Sequence, residues 1–267
     1  TILMELADII RKADNKSQTR EELVTRTFTQ IKHLLQVATD YAFDKNLWQN
    51  YLTFLLITNE NPFSITCEKV GANEGSVNYF AKSDFKAFME LFHYDFSALE
   101  EYLGIDCFTR LSNYTAIGKK ELMYNKNVSE KVRMLSEKLA AAADENEFFD
   151  AVTGFYKAYG VGMFGLNKAF RIQSREDGGV NFCAINNMDA VMLDDLIGYE
   201  IQKKKLVDNT LAFVEGKKAN NVLLFGDSGT GKSTSIKAIV NEFYDQGLRM
   251  FEIYKHQFKD LSSVIAQ

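Results

Sequence analysis

The chain has 267 residues, 46% of them hydrophobic and 25% charged, with a formal net charge of −5, which suits one large or two ordinary soluble domains and argues against a basic nucleic-acid-binding surface. Three widely spaced cysteines, Cys67, Cys107 and Cys183, form no CxxC pair, so neither a disulfide framework nor a zinc site is expected and a reducing cytoplasm is. No window approaches 18 uninterrupted apolar residues and no signal-peptide pattern opens the chain, so no membrane span is expected.

The single proline, Pro62, fits a helix-rich chain, and residues 1–190 read as a mostly α-helical N-terminal domain. Thr19 and Glu22 make a capping box ahead of Val24, Phe28, Ile31, Leu35, Ala38 and Tyr41, one apolar face at steps of three and four. A second helix carries Leu47, Trp48, Tyr51, Leu52 and Leu55 and stops in the turn from Asn59 to Pro62. Phe85, Phe88, Met89 and Phe92 form a further stripe. Ser97 with Glu100 caps a short helix closed by Gly104, and Ser129 opens another through Val132, Leu135 and Leu139. In an acidic chain these aromatic stripes read as core packing rather than as platforms for stacking bases.

Between Phe148 and Ile185 the texture changes to glycines, a polar SREDGG turn at Ser174 to Gly179 and a β-prone run from Val180 to Ile185, and the domain boundary is placed here. Residues 191–267 then form a second domain. Leu193 to Gly216 reads as a lead-in and an amphipathic helix with Ile201, Leu206, Thr210 and Phe213 on one side and Lys203 to Lys205 solvated. Val222 to Phe225 is a continuous apolar run of buried-strand type. Ile236, Ile239, Val240 and Phe243 recur at helical spacing up to Gly247, Leu248 to Tyr254 is a second strand, and Phe258, Leu261 and Ile265 begin another helix. Strand alternating with helix predicts a parallel α/β sheet.

Between the first of those strands and its helix lie Gly226, Asp227, Ser228, Gly229, Thr230, Gly231, Lys232, Ser233 and Thr234. The order fits GxxxxGK followed by Ser or Thr, the phosphate-binding P-loop. Glycines let successive N–H groups turn inward as a nest for an anion, and the helix that follows adds a positive dipole end. Lys232 would reach the β and γ phosphates, and Ser233 would offer its hydroxyl to Mg2+.

Other motifs are weaker. Gly160, Gly162 and Gly165 fit GxGxxG, but the helical pattern of Phe148, Phe149, Val152, Phe155 and Tyr159 precedes them, so they read as a hinge or helix stop. Val191 to Asp195 looks like an apolar strand ending in an acidic pair. In P-loop ATPases that strand follows the loop, so here the segment reads as a capped entry to the next helix, with Asp195 near its start. GDSG at Gly226 to Gly229 resembles a serine-protease nucleophile segment but lacks an all-β setting. His33, His93 and His256 show no metal spacing, and the first two read as packing histidines. No Asn-Lys-x-Asp guanine-reading motif occurs, which favours adenine.

The run LDDLIGYEIQKKKLVDNTLAFVEGKKANNVLLFGDSGTGKSTSIKAIVNEFYDQGLRMFEIYKHQFKDL, from Leu193 onward, resembles the AAA-plus ATPase superfamily. More narrowly it is similar to a bacterial family of predicted AAA-plus ATPases of uncharacterised role, and NPFSITCEK and LGIDCF upstream also look like that family. The resemblance implies that Leu196, Ile197, Gly198 and Tyr199 lie over the adenine, and that Gly226, Gly229, Gly231, Lys232, Ser233 and Thr234 contact phosphate and Mg2+. The family's acidic strand, polar sensor, arginine finger and helical lid have no counterpart here, so the natural protein is expected to continue past Gln267.

The expected protein is therefore an α/β P-loop module, 191–267, behind a mostly helical domain, 1–190. It would bind ATP and Mg2+, and hydrolysis by the intact protein would drive a conformational or assembly change. A homo-oligomer or a protein partner would engage the N-terminal domain. The alternatives are a non-enzymatic ATP-dependent switch and a small-molecule kinase.

Overall fold

The computed structural model describes residues 1–72, 75–116, 124–175, 179–186 and 188–266. The chain divides into two compact units, Thr1–Gly162 and Met163–Gln267. The division falls inside the change of texture between Phe148 and Ile185 but ahead of residue 190. The reason is strand pairing: the hairpin after Met163 shares its sheet with a strand from beyond the glycine-rich loop.

The first unit is helical: α1 (Ile2–Asp14), α2 (Arg20–Tyr41), α3 (Leu47–Thr58), α4 (Pro62–Val70), α5 (Ser76–Phe92), α6 (Ser97–Leu103), α7 (Cys107–Ser112), α8 (Lys126–Ala141) and α9 (Glu145–Tyr159). The capping box forms, with Glu22 N–H donating to Thr19 Oγ1 at 3.3 Å and Thr19 N–H to Glu22 Oε2 at 3.2 Å. The face that α2 buries is shifted by about a residue from the one predicted. Leu23, Thr27, Gln30, Ile31, Leu34 and Ala38 are buried, while Phe28 is half exposed. Thr27 can stand on that face because its hydroxyl donates to Leu23 O at 2.8 Å.

Two expected caps are replaced. Ser97 donates to Asp95 Oδ2 instead of capping α6. Glu100 is buried and accepts from Phe108 N–H at 2.6 Å, Thr109 N–H at 3.0 Å and the Thr109 hydroxyl at 2.6 Å, so it caps α7, a task invisible at a distance of eight residues. Helix α8 starts ahead of Ser129, where Val128 N–H donates to Asn125 Oδ1. Burial, and then the Glu100 charge, push the Cys107 thiol up to about 11, which makes it packing rather than a nucleophile.

Aromatic rings fill the core. Phe148 has no exposed surface and sits among Phe85, Phe88 and Phe92 with ring centroids at 6.3, 6.4 and 5.8 Å. Phe96 stacks on Phe108 at 4.0 Å, and Trp48 Nε1 donates to Leu91 O at 2.9 Å. His33 and His93 are exposed rather than packed. Gly160 closes α9 as a helix stop.

The second unit opens with α10 (Gly162–Leu166), β1 (Ala169–Ser174) and β2 (Val180–Ala184), followed by α11 (Glu200–Val214), α12 (Lys232–Phe243), β3 (Met250–Glu252) and α13 (Leu261–Ala266). The sheet has the order β2-β1-β3. β1 is antiparallel to β2, with Ile172 opposite Phe182, and parallel to β3, with Phe170 opposite Phe251. Phe164, Phe170, Phe182 and Phe251 make its aromatic cluster, with Phe170 stacked on Phe251 at 5.2 Å. Residues 176–178 of the SREDGG turn lie outside the described residues.

This sheet is mixed, not parallel, and it lacks the strand expected before the loop. Val222, Leu223 and Phe225 are 50%, 82% and 87% exposed, and among the described residues this segment pairs with no strand. An apolar run becomes a buried strand only where a neighbouring strand takes its N–H and C=O groups, and among the described residues none stands beside it. Val191–Asp195 is not a strand either: Leu193–Asp195 is a 3-10 turn in which Met192 N–H donates to Asp195 Oδ2 at 2.8 Å. No described helix is long and apolar enough to cross a membrane.

Candidate functional site

The glycine-rich loop lies between the extended run 221–225 and α12. Its entry is fixed by one side chain. Asn209 of α11 accepts from Asn220 N–H at 2.8 Å and donates to Asn220 O at 2.9 Å, so a carboxamide acts as a one-residue strand partner at the base of the segment. Gly226, Gly229 and Gly231 have φ of 143°, 82° and 80°, a conformation that side chains disfavour. The loop folds back on itself through these three positions.

Lys232 is the first residue of α12, and its side chain closes the loop. Its Nζ donates to Gly226 O at 2.9 Å, Asp227 O at 2.5 Å and Thr230 Oγ1 at 3.3 Å, while the Thr230 hydroxyl donates to Asp227 O at 2.8 Å. The first bond of the helix runs from Ser235 N–H to Gly231 O at 2.8 Å, and no side chain caps the helix. The N–H groups of Lys232, Ser233 and Thr234 therefore have no acceptor within α12, and the positive end of its dipole is concentrated there. Ser233 and Ser228 are exposed and Thr234 half-buried. The helix is held from beneath by Ala238, Ile239, Val240 and Phe243, whereas Ile236 is partly exposed.

The segment 189–199 runs against α12. Lys237 Nζ meets Asp189 Oδ2 at 2.6 Å, and Asn241 Nδ2 donates to Asp189 O and Val191 O, each at 2.9 Å. Further along, Lys203 Nζ donates to Leu196 O at 2.7 Å. Just beyond Leu196, Ile197 is 94% and Tyr199 59% exposed, with Gly198 and Tyr199 both at positive φ. Helix α11 buries little: of its expected face, Thr210 is buried, but Ile201 and Phe213 are 71% and 63% exposed. Ile201 stands about 140° around the helix from Leu206, so the four never shared one face.

The sequence pattern singles out the loop, and the family resemblance the 196–199 segment, but neither points to Asn209, Lys203 or Asn241. Asn241 stands off the apolar stripe of α12, four places after Lys237, so the sequence pattern carries no signal for it. The acidic pair is not brought to a strand end, and among the described residues no group of three or more His, Cys, Asp or Glu could hold a metal ion.

The fold and site thus define a helix-rich protein with a small mixed sheet and a glycine-rich loop that opens a helix. Residues 166–267, almost the whole second unit, match the model of a family described as a protein of unknown function (DUF815). No curated protein and no solved structure matches the chain.

Proposed function

We propose that the second unit is a P-loop module of AAA-plus type that binds Mg-ATP, and that hydrolysis drives a conformational or assembly change, with residues outside the loop activating water. The observation that carries this reading is Lys232, whose ammonium is drawn onto the loop's own carbonyls, with the unshared N–H groups of the first turn of α12 beside it. A loop that gathers one ammonium and several N–H donors at one end suits a polyphosphate anion. Gly226, Asp227, Ser228, Gly229, Thr230, Gly231, Lys232, Ser233 and Thr234 would hold the phosphates. Ser233, exposed at the start of the helix, would supply a hydroxyl to Mg2+, and Ile197, Gly198 and Tyr199 would cover the base.

The test is calorimetry with Mg-ATP. Lys232→Ala removes a charge-assisted contact of about 1.5–3 kcal/mol, an expected loss of about 10–100-fold in affinity. Unchanged affinity overturns the reading. A second reading, an ATP-dependent switch without turnover, is favoured by Asp195, whose carboxylate accepts from Met192 N–H instead of standing at a strand end. Phosphate release above background separates the two.

A further inference from the structure

Asn241 lies about two and a half turns after Lys232 on the same helix. Its carboxamide is engaged at both ends: Nδ2 donates to two backbone carbonyls, Asp189 O and Val191 O at 2.9 Å, and Oδ1 accepts from Lys168 Nζ at 3.1 Å. A carboxamide is the one short side-chain group able to give two protons and accept a third at a single position. It joins three pieces of chain: the helix that begins at the loop, the residue before β1, and the strap from Asp189 to Tyr199.

The strap has few other ties. The Lys237–Asp189 pair is on the exposed rim, with side chains 37% and 70% accessible, where such pairs hold weakly. Asp195 only folds the strap on itself. At the far end Lys203 holds Leu196 O, and beyond that point Gly198 at φ 84° and Tyr199 at φ 57° set the direction of the chain. Asn241 and Lys203 are therefore the two side chains that hold the strap ahead of the exposed Ile197–Tyr199 corner, and of the two Asn241 alone is on the P-loop helix.

We infer that Asn241 is a positioning residue for the base end of the nucleotide site: it fixes the 189–199 strap to the P-loop helix, and so adds recognition of the base to a loop that by itself reads only phosphate. This rests on the proposed P-loop function, with the strap covering the base. Phosphate-only ligands should then be indifferent to Asn241, whereas ligands carrying a base should depend on it.

The experiment compares magnesium tripolyphosphate with Mg-ATP by calorimetry on the full chain. Two variants are used, Asn241→Leu, which removes all three bonds, and Asn241→Asp, which keeps the volume and the Lys168 contact but has no protons for the strap. In both variants the ATP dissociation constant should rise tenfold or more towards the tripolyphosphate value, while that for tripolyphosphate stays within twofold. Amide exchange across 189–199 should quicken. If Asn241→Leu does not fold, Asn241→Asp decides. Unchanged ATP affinity overturns the inference, as does an equal loss for both ligands, the mark of a general structural role. Wild-type protein that binds neither ligand overturns the P-loop reading and this inference with it. Wild-type protein that binds both equally well keeps that reading and overturns this inference alone.

Discussion

The two units solve the same problem differently. In Thr1–Gly162 the helices turn aromatic side chains inward, and polar groups that go inside, such as Glu100 and Thr27, are fully engaged. In Met163–Gln267 the segments outside the sheet and helices are held by single polar side chains, Asn209, Asn241 and Lys203, each fixing a stretch of backbone that has no regular partner, while Leu223, Phe225 and Ile197 stand exposed. Packing holds the first unit, and in the second it holds the sheet and the inner face of α12 while point ties hold the segments around the loop. The proposed function gives this difference a use, since a loop that closes around a ligand is drawn from weakly packed structure.

The largest expected effect tests the packed side of this contrast. Phe148→Ala should destabilise the protein by about 3–5 kcal/mol in denaturant titration, since its ring is wholly buried among three others. A loss below about 1 kcal/mol would mean that the core collapses freely around the gap and is not specifically packed.

Glu100→Ala comes next. It strands two N–H donors and a hydroxyl at the start of α7 and should cost about 2–3 kcal/mol, with Glu100→Gln recovering part of it. A near-neutral Glu100→Ala would show that water satisfies those groups.

Smaller still is Asp8, whose carboxyl is held well below the usual carboxylate range by hydrogen bonds from Lys12, Arg26 and Arg11. Because its folded pKa is depressed, its contribution is present at neutral pH and fades as pH falls below about 4, where the unfolded chain takes up the proton. Asp8→Asn should lower the melting temperature slightly at pH 7, and the difference from wild type should shrink on acidification. A gap that grows in acid would contradict the assignment.

The smallest effect belongs to the exposed segment. Leu223→Ser and Phe225→Ser should each change stability by no more than about 0.5 kcal/mol, although both substitutions fall in what reads as a buried strand. A cost above about 2 kcal/mol would show that the run is covered in solution, and would bring the second unit closer to the first.

The sequence by itself determined whatever depends on neighbours in the chain. The capping box of Thr19 and Glu22, the turn from Asn59 to Pro62, the stop at Gly160 and the loop from Gly226 to Lys232 were all legible, because a few adjacent residues fix each backbone conformation. Tertiary structure decided what depends on partners far along the chain. An apolar run such as Val222–Phe225 states a preference for burial and cannot say whether a strand will lie beside it. β1 was hidden because its place is set by pairing with β2 and with the distant β3. Glu100 and Asn241 carry no local signature, since each saves its hydrogen bonds for backbone that only folding brings within reach.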